Sequence, residues 1–247
     1  MRRIPFQSDR RGPAGGFSLA ELLFALAILG LALTSVVTLF PAAARQTENA
    51  ASHAVGDLIC KNVLTVARFH LRHGQGSWVG SSLAAIPTGS STGLMDPDAV
   101  QYPDGSSDTH GALLFGRQID GENDYMLVAV SYLKDPNYSV SSEAITITAG
   151  NYDDETLTVS NADGDFVRIG SPLLAANGRF SYVKGKTVGA TETTVTLTHA
   201  LDRDSSTAIS NDVLVVVGRD GGGTLLPDVM SPVLSAMSVR TALPLPE

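Results

Sequence analysis

Cysteine is almost missing from this chain. Cys60 stands alone among 247 residues, which rules out an intramolecular disulfide and any zinc site built on paired cysteines. Tryptophan is as scarce, with Trp78 the single example, and aromatic residues together make up 6% of the sequence. Basic residues are outnumbered, 17 Lys and Arg against 25 Asp and Glu, for a formal net charge of −8. So acidic a chain offers no broad attraction to nucleic acid, and no nucleic-acid partner is expected. Catalytic signatures are lacking too. No serine lies in a nucleophile-elbow pattern, and the glycines at Gly74, Gly76 and Gly80 miss the dinucleotide spacing. Gly185-Lys186-Thr187 echoes the end of a phosphate-binding loop, but Phe180 stands where the first loop glycine belongs, so the segment reads as an exposed turn. His53, His110 and His199 are scattered. His70 and His73 are three apart, and helix-end capping accounts for both. Neither an enzyme nor a cofactor is expected.

Charge is lacking altogether from Leu22 to Phe40, nineteen residues in a row. At 1.5 Å per residue such a helix matches a hydrocarbon core of roughly 30 Å, so a membrane span is predicted over about residues 20–40. Glu21 sits at its mouth, where a carboxylate facing lipid costs on the order of 3 kcal/mol unless it meets a partner. The same position suits the positive end of the helix dipole. Ahead of the run, Arg2, Arg3, Arg10 and Arg11 against Asp9 make a +3 segment, whereas Arg45 is the only Lys or Arg in the twenty residues after Phe40. The positive-inside rule then places the N-terminus in the cytoplasm and the remainder outside. An ordinary secretory signal has an apolar core of about 7 to 15 residues before a small-residue cleavage site. Ala42-Ala43-Ala44 offers such a site, but this run is too long and begins at a carboxylate.

Gly15-Gly16-Phe17-Ser18-Leu19-Ala20-Glu21 and the apolar run together resemble the N-terminus of type IV prepilins and pseudopilins: a short basic leader ending in glycine, a phenylalanine, a glutamate at the fifth position after the cut, then an apolar helix. The resemblance implies cleavage by a prepilin peptidase between Gly16 and Phe17, methylation of the new Phe17 amine, and a contact between that ammonium and Glu21 of a neighbouring subunit. Loss of the +3 leader takes the net charge from −8 to −11. The implied partners are the peptidase, membrane lipid, other pilin-like subunits, an assembly ATPase and a polytopic platform protein. The implied location is the inner membrane, crossed once, with the C-terminal head in the periplasm. The implied role is a structural minor pilin or pseudopilin of a type II secretion or type IV pilus-like filament. Ala54 to Leu64 is similar to the post-membrane helix of such minor subunits. Pro41 falls where many pilins bend their long helix.

Beyond Pro41 the helix is predicted to continue. Val55, Leu58, Ile59, Val63 and Val66 recur at spacings of three and four, one apolar stripe able to pack on a head domain. With a leader over 1–16, the helix then runs over 17–73, or roughly 85 Å, and Cys60 is expected as a small buried hydrophobe on it. Arg68, His70, Arg72 and His73 crowd its last turn ahead of Gly74, as the negative end of the dipole and a glycine cap favour. Residues 74–110, rich in Gly, Ser and Pro, read as a surface connector with room for a short element around Leu83 to Ile86. The head is expected over 111–218. Tyr125 to Leu133 and Val213 to Val217 are near-continuous apolar runs, the pattern of central strands covered on both faces. Ala144 to Ala149, Thr156 to Ser160 and Thr194 to Thr198 alternate, the pattern of strands with one wet face. Gly164 to Gly170, Gly178 to Val183 and Thr194 to Leu197 read as three short strands of a barrel-like insert, and 219–247 as an irregular tail. The fold class is α+β, a long N-terminal helix packed on an antiparallel sheet or small barrel.

Acidic residues at alternate positions, Asp120, Glu122 and Asp124, and again Asn161, Asp163 and Asp165, have the spacing of a calcium loop without its full twelve-residue signature. Turn chemistry accounts for aspartates at both places. The rival functional class is a filament-displayed or membrane-anchored binding module, an adhesin or cargo-recognition head, with Trp78, Tyr102 and Tyr138 as its candidate contacts.

Overall fold

The computed structural model of the protein describes residues 18–72, 79–86, 109–119, 124–209, 213–226 and 231–242. The chain divides between Ala50 and Ala51 into two compact units. One helix, α1 (Leu19–Arg72), supplies all the described structure of the first unit and the opening element of the second.

In the first unit the apolar side chains of α1 are exposed, Phe24 at 71% and Phe40 at 70% among them. This helix is long and apolar enough to cross a membrane. Its few hydroxyls are already satisfied. Thr34 Oγ1 donates to the Gly30 carbonyl at 2.8 Å, Ser35 Oγ to Leu31 at 2.9 Å and Thr38 Oγ1 to Ser35 at 2.9 Å. Back-bonding of this kind leaves no hydroxyl seeking water that a bilayer does not hold. The helix runs through Pro41, although proline has no N–H to return to the preceding turn.

The second unit stacks the rest of α1 on two antiparallel sheets. The first sheet has the order β1 (Ala84–Ala85), β2 (His110–Gln118), β3 (Asp124–Leu133), β11 (Val233–Ala242). Alternation decides its two faces. Leu114, Leu127 and Ala129 meet Ile59, Cys60, Val63 and Leu71 of the helix, while Phe115, Val128 and Val130 face Leu174 and Val216 of the second sheet. Tyr125 to Leu133 is apolar except at Ser131 because β3 is covered on both faces.

The second sheet has seven strands in the order β4 (Tyr138–Ile145), β10 (Val213–Asp220), β7 (Pro172–Leu174), β8 (Phe180–Val188), β9 (Glu192–Leu197), β6 (Thr156–Ser160), β5 (Ile147–Ala149). It curls into a half-barrel. β8 pairs with β7 through Phe180 to Tyr182 and with β9 from Val183 onward, with a register shift between Val183 and Gly185. Such an irregularity bends a strand and lets one sheet close around its own core. Leu157, Val159, Leu173, Val195, Leu197 and Val215 fill the concave side. Gly178, at φ +78°, turns the chain between β7 and β8 against Met126, whose Cγ would lie 1.9 Å from an added Cβ, so no other residue fits there.

Four expectations need correction. Leu58 does not belong to the buried stripe, being 38% exposed; the helix instead buries Gly56, Ile59, Cys60, Val63, Leu64, Ala67 and Leu71, a line in which small residues bring the backbone close. Gly164 to Gly170 is not a strand. Ser160 caps a short helix, α2 (Asn161–Gly164), accepting from the Asp163 N–H at 3.1 Å, and a turn follows; capping chemistry outweighs the alternation. Gly185-Lys186-Thr187 lies within β8, not in a turn. The segment beyond Asp220 is not an irregular tail, because β11 pairs with β3 along almost its whole length. Its period is hidden by the register shift between Val233 and Ser235, which puts Val233 and Ala236, three apart, into the same core.

The corrected stripe separates two leucines. Leu64→Ala should lower stability by about 2–5 kcal/mol, and Leu58→Ala by less than about 1 kcal/mol, in thermal unfolding of the detergent-solubilised chain. Equal losses would contradict the helix orientation.

Candidate functional site

The residues singled out at the N-terminus fall on two sides of the described boundary. Gly16 and Phe17 lie outside the described residues. Glu21 lies in the first turn of α1 and forms a reciprocal pair with Ser18: the Ser18 N–H donates to Glu21 Oε2 at 2.9 Å, and the Glu21 N–H to Ser18 Oγ at 3.2 Å. This is a capping box, which satisfies N–H groups that have no carbonyl partner at a helix start. It also holds a carboxylate at the positive end of the dipole. Its signal is in the sequence as Ser-x-x-Glu directly before an apolar run, and reading Glu21 only as a partner for another charge passes over it. Chemically the carboxylate is held and exposed, with lone pairs left for a cation.

The second half of α1 meets the first sheet through a polar seam that periodicity alone does not reveal. A Cβ on Gly56 would lie 2.8 Å from Ser131 Oγ and 2.9 Å from Leu234 Cβ, so the glycine permits the close approach. One turn on, Cys60 is fully buried and directs Sγ at the Ala129 and Ser235 carbonyls, 3.5 and 3.7 Å away. Ser235 Oγ donates to the Asp57 carboxylate, and Ser131 Oγ donates to the Ser235 carbonyl at 3.3 Å. Tyr182 reaches in from the second sheet, its hydroxyl accepting from the Ala236 N–H at 2.9 Å. Burial pushes the Cys60 thiol and the Tyr182 phenol above their ordinary pKa values, since desolvation disfavours either anion. A small residue at both 56 and 60 was the available sign of this approach.

The acidic candidates are dispersed into structural work. Asp120 and Glu122 lie outside the described residues. Asp124 is buried and paired with Arg240, whose Nε and Nη2 lie 2.6 and 2.5 Å from Oδ2. Asp163 Oδ2 accepts from the Thr146 N–H at 3.3 Å. Asn161 donates to the Gly189 and Ala190 carbonyls, and its Oδ1 accepts from Thr193. Beside α2 the positive charge comes from within: Lys186 Nζ donates to the Gly164 and Val167 carbonyls at 3.1 and 3.3 Å, and Arg168 donates to the Asp165 carbonyl. Among the described residues no three His, Cys, Asp or Glu side chains gather as metal ligands. His73, Trp78 and Tyr102 lie outside the described residues. His70 stands edge-on to Phe69, and Tyr138 donates its hydroxyl to the Leu133 carbonyl at 3.0 Å.

No family model, curated protein or solved structure matches this chain.

The seam makes Cys60 inert. At pH 8 a thiol-selective disulfide reagent should leave the native chain unmodified and titrate one thiol once the chain is denatured. Prompt reaction of the native chain would contradict the packing of α1 on the sheet.

Proposed function

We propose that this chain is a prepilin-like structural subunit, a minor pilin or pseudopilin, matured at Gly16-Phe17 and assembled through α1. The observation that carries the reading is the start of the helix: a basic leader ending in glycine, a phenylalanine, then Glu21 held at the mouth of an uncharged run. In this proposal the leader lies in the cytoplasm, α1 crosses the inner membrane once, and the two sheets lie in the periplasm. An assembly ATPase and a platform protein would then draw the helix out of lipid into a filament.

The electrostatics support this sequence of events. A lone ammonium at Phe17 and a lone carboxylate at Glu21 are each costly near lipid, and each becomes cheaper when the two meet across subunits. Before assembly the capping box gives the Glu21 carboxylate an interim partner in the Ser18 N–H. Exchanging that hydrogen bond for an ammonium leaves the helix start intact, because Ser18 still accepts from the Glu21 N–H.

Two experiments test the proposal. Co-expression with a prepilin peptidase should shorten the chain by sixteen residues and leave an N-methylated Phe17 in intact-mass analysis. An uncut chain, or a cut after Ala44, would overturn the assignment. Glu21→Gln then separates the two roles of the carboxylate, because glutamine serves a capping box but carries no charge. The variant should be inserted, cleaved and helical, yet be lost from the filament fraction. Incorporation at the level of the unsubstituted chain would remove the intersubunit role.

A further inference from the structure

β11 is the edge of the first sheet: it pairs with β3 on one side, and among the described residues no strand pairs with its other side. The outward backbone positions follow from one hydrogen bond. Ala236 donates its N–H away from β3, to Tyr182 Oη, so along the regular part of the strand Ser238 also turns its N–H and C=O outward. Ser238 is exposed. A cleft of about 480 Å³ runs beside this edge, between Lys61, Leu64, Thr65 and Arg68 of α1 on one wall and Phe180 of β8 on the other.

Sheet edges left unpaired recruit strands, and proteins that do not use them usually block them with bulges, prolines or inward charges. The bulge in β11 lies at Val233/Ser235, before the open stretch. The electrostatics of the cleft select the occupant. In a chain of net charge −8, its helical wall presents two cations, Lys61 and Arg68, and neither has a carboxylate partner among the described residues. Arg68 is instead aimed along the edge by a 2.8 Å hydrogen bond from Nε to Thr241 Oγ1. Seven residues of helix set these charges roughly 10 Å apart, a span of between one and two pleats of an adjoining strand. Self-pairing of β11 across a two-fold axis would bring the Lys61 and Arg68 of both copies into one groove, and like charges disfavour that arrangement.

We infer that β11 and its cleft form a docking site for an extended segment of another protein, added as a fifth strand, with acidic side chains at alternate positions facing α1 and apolar ones facing Phe180. Main-chain hydrogen bonds to Ser238 and beyond supply affinity, and Lys61 and Arg68 supply the preference for carboxylates. The site belongs to the head and does not depend on N-terminal processing.

The test uses the full chain in detergent and a fluorescein-labelled nonapeptide alternating valine with glutamate, read by fluorescence anisotropy. Its counterpart alternates valine with lysine. The glutamate peptide should bind saturably and at least tenfold more tightly than the lysine peptide, with the difference shrinking in 0.5 M salt. Ser238→Pro removes an outward N–H that β3 does not use, so the sheet persists while peptide affinity should fall at least tenfold. Lys61→Glu, on the solvent side of the helix, should weaken the glutamate peptide severalfold with unchanged thermal unfolding. Absence of saturable binding, equal binding of the two peptides, or an unchanged affinity in Lys61→Glu would overturn the inference. So would a dimer in analytical ultracentrifugation that Ser238→Pro dissolves, which would assign the edge to a second copy of the chain.

Discussion

One helix is apolar and exposed in its first half and buried in its second, and the burial of that second half against β2, β3 and β11 is the contact on which the head depends. The first sheet has an apolar face that α1 covers together with Val79 and Ile86. Leu114, Leu127 and Ala129 would otherwise meet water, and Leu127 and Ala129 are fully buried. Covering that face requires the helix backbone to lie close to the strands, and Gly56 and Cys60 set the distance. The buried polar atoms this exposes are then tied together, Ser235 to Asp57 and Ser131 to Ser235, because a buried hydroxyl left without a partner costs about 1–3 kcal/mol. The first half of the same helix needs no such arrangement. Its hydroxyls return to its own carbonyls, and its apolar surface is uninterrupted.

The sequence was most legible where one physical demand acted alone. Leu22 to Phe40 reads as a continuous apolar helix because it carries no charge, and it is long and apolar enough to cross a membrane; Tyr125 to Leu133 reads as a central strand because both of its faces are covered. Legibility failed where two demands competed. At β11 a register shift puts Val233 and Ala236 on one face, so the two-residue period that marks a strand is broken, and Pro232 and Pro244 suggest a loop although they bracket a strand. At Gly164 to Gly170 the alternation is real, but Ser160 begins a helix turn and Val167 is buried against the half-barrel core. On the helix Leu58 fits the apolar spacing better than Gly56 does, yet the close approach to Ser131 favours the glycine.

The candidate site was partly legible for a related reason. Glu21 is conspicuous as the one carboxylate at the edge of an apolar run, and that invites a search for an opposite charge. The capping box shows that the carboxylate also has a local hydrogen-bonding role, starting the helix in concert with Ser18. The two roles act on the same oxygens at different stages of the proposed assembly. The acidic clusters had the opposite fate: their described members serve Arg240, a backbone N–H and the cap of a short helix, functions that alternate spacing cannot distinguish from ligation.

Hydrogen–deuterium exchange of the full chain in lipid nanodiscs tests most directly that one helix is held by lipid in its first half and by the sheet in its second. Amides from Leu22 to Phe40 should be protected in nanodiscs and lose protection when the lipid is replaced by a short-chain detergent, while amides from Gly56 to Leu71 should exchange at one slow rate in both and together with those of β3. Solvent-like exchange over Leu22 to Phe40 in nanodiscs, or protection over Gly56 to Leu71 that varies with the lipid and not with β3, would contradict the account.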